Sequence, residues 1–254
     1  MTDSDIDELR ETIEKDLAWR NEEITFLSNI LNNINGSNPS DTEKKRNVYR
    51  KSLILSLYAH FEGFFRYSFE TYAYAINESK IEVGKVIDVL CASGLNREFL
   101  SYEDSNKWII PADEFSKTHR KISNRVLLLE NIEASKAKYL ELPLSSDYLN
   151  KTSIVHTESN LKPEIIDKIL YSLGIHQRLG LNRTDFLRIM GLVSEFVKKR
   201  NGIAHGDNKS EFKVGVSENE YNKFFNSYER ITNLIGPLIT KHLKDKLYLK
   251  PEYR

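Results

Sequence analysis

From Ile6 to Ile34 the chain keeps a helical beat: positions 6, 13, 17, 20, 24, 27, 31 and 34 follow three- and four-residue steps. Arg20 is the one polar residue among them. Such a stripe lies along one side of an α-helix and predicts a long amphipathic helix, with Arg20 a solvated or paired register residue. Eleven Gly and six Pro in 254 residues leave long stretches unpunctuated, which favours further long helices.

After the loop Gly36 to Ser40, with Ser40 or Asp41 as candidate cap, a second helix is predicted from Asp41 to about Asn77. Its middle carries Phe61, Phe64, Phe65, Phe69, Tyr72 and Tyr74, apolar on most sides, so it should be buried. Within it Glu62 and Arg66 stand four apart, a favourable pairing order on one helix face. Val83 to Leu90 reads as a short helix ending near Gly94, and Asp113 onward can be helical. Ser145 to Leu161 reads as an ordered loop or short helices, and a helix from Pro163 to Leu173 is ended by Gly174. Thr184 or Asp185 can cap the next helix, whose apolar face runs from Phe186 to Val197 and whose end Gly202 and Gly206 should loosen. Ser217 and Glu220 have capping-box spacing before a last helix reaching about Tyr248, kinked at Gly236-Pro237. No strand alternation and no repeat is found. The fold class is all-α, one bundle domain over 1–254 with an irregular insertion at about 94–161.

Lys and Arg number 37, as do Asp and Glu, so a uniformly basic nucleic-acid coat is excluded while a local basic cleft is not. Cys91 is the only cysteine, which rules out an internal disulfide and predicts a reducing compartment. The acidic start MTDSDIDELR is no signal peptide, and no apolar run nears the roughly 18 residues of a membrane span. A soluble cytoplasmic protein is expected. His60, His119, His156, His176 and His242 show no metal-ligand spacing, and no phosphate-binding glycine loop is present, so no metal and no cofactor is expected.

The chemistry concentrates in Arg200-Asn201-Gly202-Ile203-Ala204-His205-Gly206. Arginine grips phosphate oxygens in a fork, and histidine exchanges protons near neutral pH. Bland readings stand beside this one. Arg200 can complement a helix dipole, His205 can cap a helix end, Asn201 can mark a fraying helix, and Glu62 with Arg66 can form a structural ion pair.

Arg200 with Asn201, followed by His205 after four intervening residues at the end of an apolar helix, resembles the signature of the HEPN superfamily, the helical "higher eukaryote and prokaryote nucleotide-binding" domains. Glu62-Gly63-Phe64 with Arg66 resembles a second polar element of many members. The likeness is greatest to the toxin-type bacterial ribonucleases. It implies a HEPN-like bundle of long antiparallel helices acting as a metal-independent endoribonuclease. The implied substrate is RNA, the implied assembly a homodimer with its active site at the interface, and an antitoxin or regulatory protein a further partner. His205 would be general base or acid, Arg200 would stabilise phosphoryl charge, and Asn201 would bond the phosphate or orient His205. Glu62 would tune His205 or hold Arg200, with Arg66 in support. Geometry sets a condition: residues five apart on a helix point ~140° apart and lie ~7.5 Å apart along it. Either the helix unwinds at Gly202, or a dimer brings two motifs together. The competing functions are a non-catalytic module that binds nucleotide, RNA or a protein, and a dimerisation scaffold built on the Ile6–Ile34 stripe.

Overall fold

The computed structural model describes residues 1–95, 99, 101–103, 114–144, 153–158, 160–175, 178–205 and 215–254, with side chains of 114–122 excepted. Gly206, His176, the His119 side chain and much of the 94–161 insertion lie outside the described residues.

Helix α1 spans Asp3–Asn32, opened by a capping box of Thr2 and Asp5. Its stripe buries Ile6, Ile13, Ile24 and Leu31. Arg20 is paired: its Nε and Nη2 grip the carboxylate of Asp16 at 2.7 and 3.2 Å, and its guanidinium lies over the Trp19 ring. The same guanidinium presses on Gly63 so closely that a Cβ there would meet Nη1 at 2.7 Å, which accounts for a glycine in mid-helix.

Helix α2 spans Pro39–Glu78, earlier than expected because Asn38, not Ser40 or Asp41, is the cap. The Asn38 side chain accepts from the Asp41 N–H, and Pro39 fills the first helical position, where no N–H is needed. Phe61, Phe64, Phe65, Phe69 and Tyr72 are buried, and α2 is the central rod against which its neighbours pack.

The expected Val83–Leu90 helix is two pieces, a 3-10 turn at Val83–Lys85 and helix α3 at Asp88–Gly94. Val86 and Ile87 between them are extended, because Val86 bridges Leu249 and the Ile87 N–H donates to the Tyr248 carbonyl. Isolated bridges of this kind replace strands among the described residues. Helix α4 spans Glu114–Ser135, and Val126, Leu127 and Leu129 are exposed on it.

Helix α5, Pro163–Ser172, begins on its proline. It ends in a Schellman motif: Gly174, at φ +72°, donates to Tyr171, and Ile175 donates to Leu170. Helix α6, Arg183–His205, is capped by Asn182, whose side chain accepts from the Asp185 N–H at 2.9 Å, two and three positions before the candidates Thr184 and Asp185. Helix α7, Glu218–Lys244, starts with the Ser217/Glu220 capping box and runs through Pro237, ending short of Tyr248. The described residues form an all-α bundle in which α1, α2, α6 and α7 pack side by side. No described helix is long and apolar enough to cross a membrane.

Candidate functional site

The site is built where the middle of α2 meets the end of α6. Phe196 and Arg200 stand one turn apart on α6 and both lie against Tyr58 of α2. Phe196 meets the Tyr58 ring edge-on at 5.5 Å and stacks on Phe224 of α7 at 5.1 Å. This apolar chain fixes the Tyr58 ring, and the ring carries the Arg200 guanidinium 4.8 Å from its centroid. A cation over an aromatic face gains ~0.5–2 kcal/mol and keeps its outward N–H groups available. Arg200 Nη1 donates to Asn201 Oδ1 at 2.8 Å and reaches Asn160 Oδ1 at 3.4 Å. A guanidinium held in this way is not serving as a cap for the carbonyls of its own helix end.

Tyr58 also links backbone to carboxylate. Its hydroxyl accepts from the Leu161 N–H at 2.6 Å, and the phenol lies beside Glu62, one turn further along α2. Burial chiefly, with the adjacent Glu62 charge, pushes the phenol pKa up to about 12, against the opposing pull of Arg200. Glu62 accepts a short bond of 2.5 Å from the Thr157 hydroxyl. Thr157 and Leu161 are thereby tied to α2, and Asn160 is carried to Arg200.

Among the described residues Glu62 and Arg66 form no ion pair, so the alternative of a structural pair is not met; the Glu62 carboxylate accepts from the Thr157 hydroxyl, and Arg66 is exposed. Asn201 likewise contacts Arg200 in place of His205. Tyr58 stands between Glu62 and Arg200: its ring carries Arg200, and the Glu62 charge acts on its phenol.

Arg200, Ala204 and His205 of α6 face Tyr58, Glu62, Gly63 and Arg66 of α2 across an open groove of about 480 Å³. All the candidate residues but Asn201 line it, and Asn201 bonds one that does. The helix does not unwind at Gly202; it stays helical through His205. His205 is exposed at the groove's edge and enters it from a different side of α6 than Arg200.

Tyr58, Thr157 and Asn160 were not singled out from the sequence. Tyr58 had a signal, since it precedes Glu62 by four and shares its face. Thr157 and Asn160 had none, being placed by a loop.

The model of the RiboL-PSP-HEPN family matches residues 15–238. That span takes in α2, α6, and both halves of the groove. The chain belongs to the RiboL-PSP-HEPN family, within the HEPN superfamily. No curated protein and no solved structure matches it.

Proposed function

We propose that this HEPN protein is a metal-independent endoribonuclease whose substrate phosphate sits in the α2–α6 groove. The observation that carries the reading is Arg200 held on the Tyr58 ring, with His205 lining the same groove. In the proposed reaction the ribose 2′-oxygen attacks the adjacent phosphorus. Its proton passes to a base, the P–O5′ bond breaks, and the leaving oxygen takes up a proton. The products are a 2′,3′-cyclic phosphate and a 5′-hydroxyl. His205 serves as general base or acid, an effect typically worth ~10²–10⁴-fold. Arg200 offsets charge on the phosphoryl oxygens as it builds. Asn201 acts by steering Arg200, Glu62 by fixing Tyr58, and Arg66 by attracting the RNA backbone along the groove.

One histidine per chain serves one proton transfer at a time, and α6 holds Arg200 and His205 on different sides. A homodimer that brings two such grooves together across a two-fold axis supplies a second histidine. Support for association comes from α1, where Trp19, Phe26 and Ile30 recur at helical spacing and are 47%, 65% and 39% exposed. A growth-restricting toxin or antiphage effector, restrained by an antitoxin or regulatory protein, is the cellular role this chemistry suits.

The test uses a defined oligoribonucleotide with EDTA present. Cleavage should leave cyclic phosphate ends, fail on a 2′-deoxy substitution at the scissile position, and fall at least ~10²-fold in Arg200→Ala. Tight RNA binding with no turnover would favour a non-catalytic binding module.

A further inference from the structure

A second and larger groove, about 790 Å³, lies between the start of α1 and the end of α2. It begins beside the first one, since Arg66 lines one groove and Tyr67 the other. The α2 wall is Tyr67, Glu70, Thr71, Tyr74, Ala75 and Glu78, spaced as one continuous helical stripe. The α1 wall is Asp5, Glu8, Leu9 and Thr12, with Met1. The α2 wall is eleven residue-steps long, three turns or ~16 Å, and the helical part of the α1 wall, Asp5 to Thr12, is seven steps, two turns or ~10 Å.

Three features define what fits. First, the lining carries four carboxylates, Asp5, Glu8, Glu70 and Glu78, against one cation, the Met1 ammonium, with Lys80 at 3.9 Å from Glu78 outside it, so the groove is acidic on a protein whose formal charge is zero. Second, the hydroxyl protons of the walls are turned inward. Thr12 donates to the Glu8 carbonyl at 2.9 Å, Thr71 to the Tyr67 carbonyl at 2.8 Å and Ser79 to the Ala75 carbonyl at 2.8 Å. These side chains leave lone pairs toward the groove, so the walls present acceptors. Third, Tyr67 and Tyr74 are exposed, 36% and 56%, and the half-buried Ala75 and Leu144 add apolar surface above the buried Leu9. A phosphate backbone is repelled by such a groove. A donor-rich cation with an apolar body is attracted, its charge meeting carboxylates and tyrosine faces.

We infer that this groove docks a basic amphipathic helix of a partner protein, about three turns long. Its Leu-type side chains would lie on Tyr67, Tyr74 and Ala75, and its Lys or Arg would reach the acidic rims, the helix-in-groove mode of recognition. Bound there, it lies against the same α2 that carries Tyr58, Glu62 and Arg66.

The probe is an 18-residue amphipathic helical peptide with leucines on one face and lysines on the other, labelled for fluorescence anisotropy. Its control is the same peptide with glutamates replacing the lysines. Binding is measured without RNA, so the result stands apart from the ribonuclease proposal. The wild type should bind the lysine peptide, more weakly as salt rises, and bind the glutamate peptide at least ten-fold more weakly. The triple variant Glu8→Gln, Tyr74→Ala, Glu78→Gln, all exposed changes, should lose at least ten-fold in affinity with an unchanged circular-dichroism spectrum. Equal affinity of variant and wild type, equal affinity for the two peptides, or no binding at millimolar lysine peptide would each overturn the proposal.

Discussion

At the residue scale, Tyr58 ties the site together. Removing its hydroxyl while keeping its ring separates two jobs. Tyr58→Phe keeps the surface under Arg200 but strands the buried Leu161 N–H. It should cost ~1–3 kcal/mol of stability in urea unfolding and reduce RNA cleavage less than Arg200→Ala does. A larger kinetic loss than that of Arg200→Ala would show that the hydroxyl takes part directly. His60 gives a second residue-scale prediction. It sits nearly buried on α2, edge-on to Trp19 at 5.6 Å, with Nδ1 lacking a partner. Burial lowers its pKa; Arg20 adds to the fall, while Glu23 and Asp16 pull the other way. A histidine with a depressed folded pKa binds fewer protons folded than unfolded. Stability is therefore intact above the unfolded pKa of ~6.5 and is lost as pH falls below it toward the folded value. Urea midpoints should drop between pH 7.5 and 5, and the drop should be smaller in His60→Gln. An identical slope in the variant would assign the effect elsewhere.

At the scale of elements, caps decide the boundaries, and they show how much was legible in the sequence. The long stripe of α1 and the aromatic middle of α2 were readable because their periodicity extends over many turns and burial enforces it. The Ser217/Glu220 box was readable because it is local chemistry. The caps of α2 and α6 were misplaced by two to three residues, since Asn38 and Asn182 compete with neighbouring Ser, Asp and Thr of similar capping ability. Val83–Leu90 broke because a distant partner, Tyr248–Leu249, claims its backbone. In the site, Arg200, His205 and Glu62 were legible from spacing. The Thr157 and Asn160 contacts were not, because a loop brings them across ~95 and ~40 residues of sequence. Two caps can be tested directly. Asn182→Ala should cost ~1 kcal/mol. Gly174→Ala should cost more, because φ is +72° and a Cβ would stand 2.4 Å from Ile87 Cδ1. A silent Gly174→Ala in thermal unfolding would contradict this account of the end of α5.

At the scale of the whole molecule, α2 is shared property. One stretch of it forms the core with α1, α6 and α7, another lines the Arg200 groove, and its far end lines the acidic groove. Charge is balanced overall but sorted locally, with Arg66 and Arg200 against the single carboxylate of Glu62 at one groove and four carboxylates at the other. A neutral protein can thus offer RNA a cationic site and a basic partner an acidic one. The central claim is that the first groove cleaves RNA. It is tested most directly by incubating total cellular RNA with purified protein in excess EDTA, beside His205→Ala. The account predicts fragments from the wild type and intact RNA from the variant. Cleavage that persists unchanged in His205→Ala would contradict it.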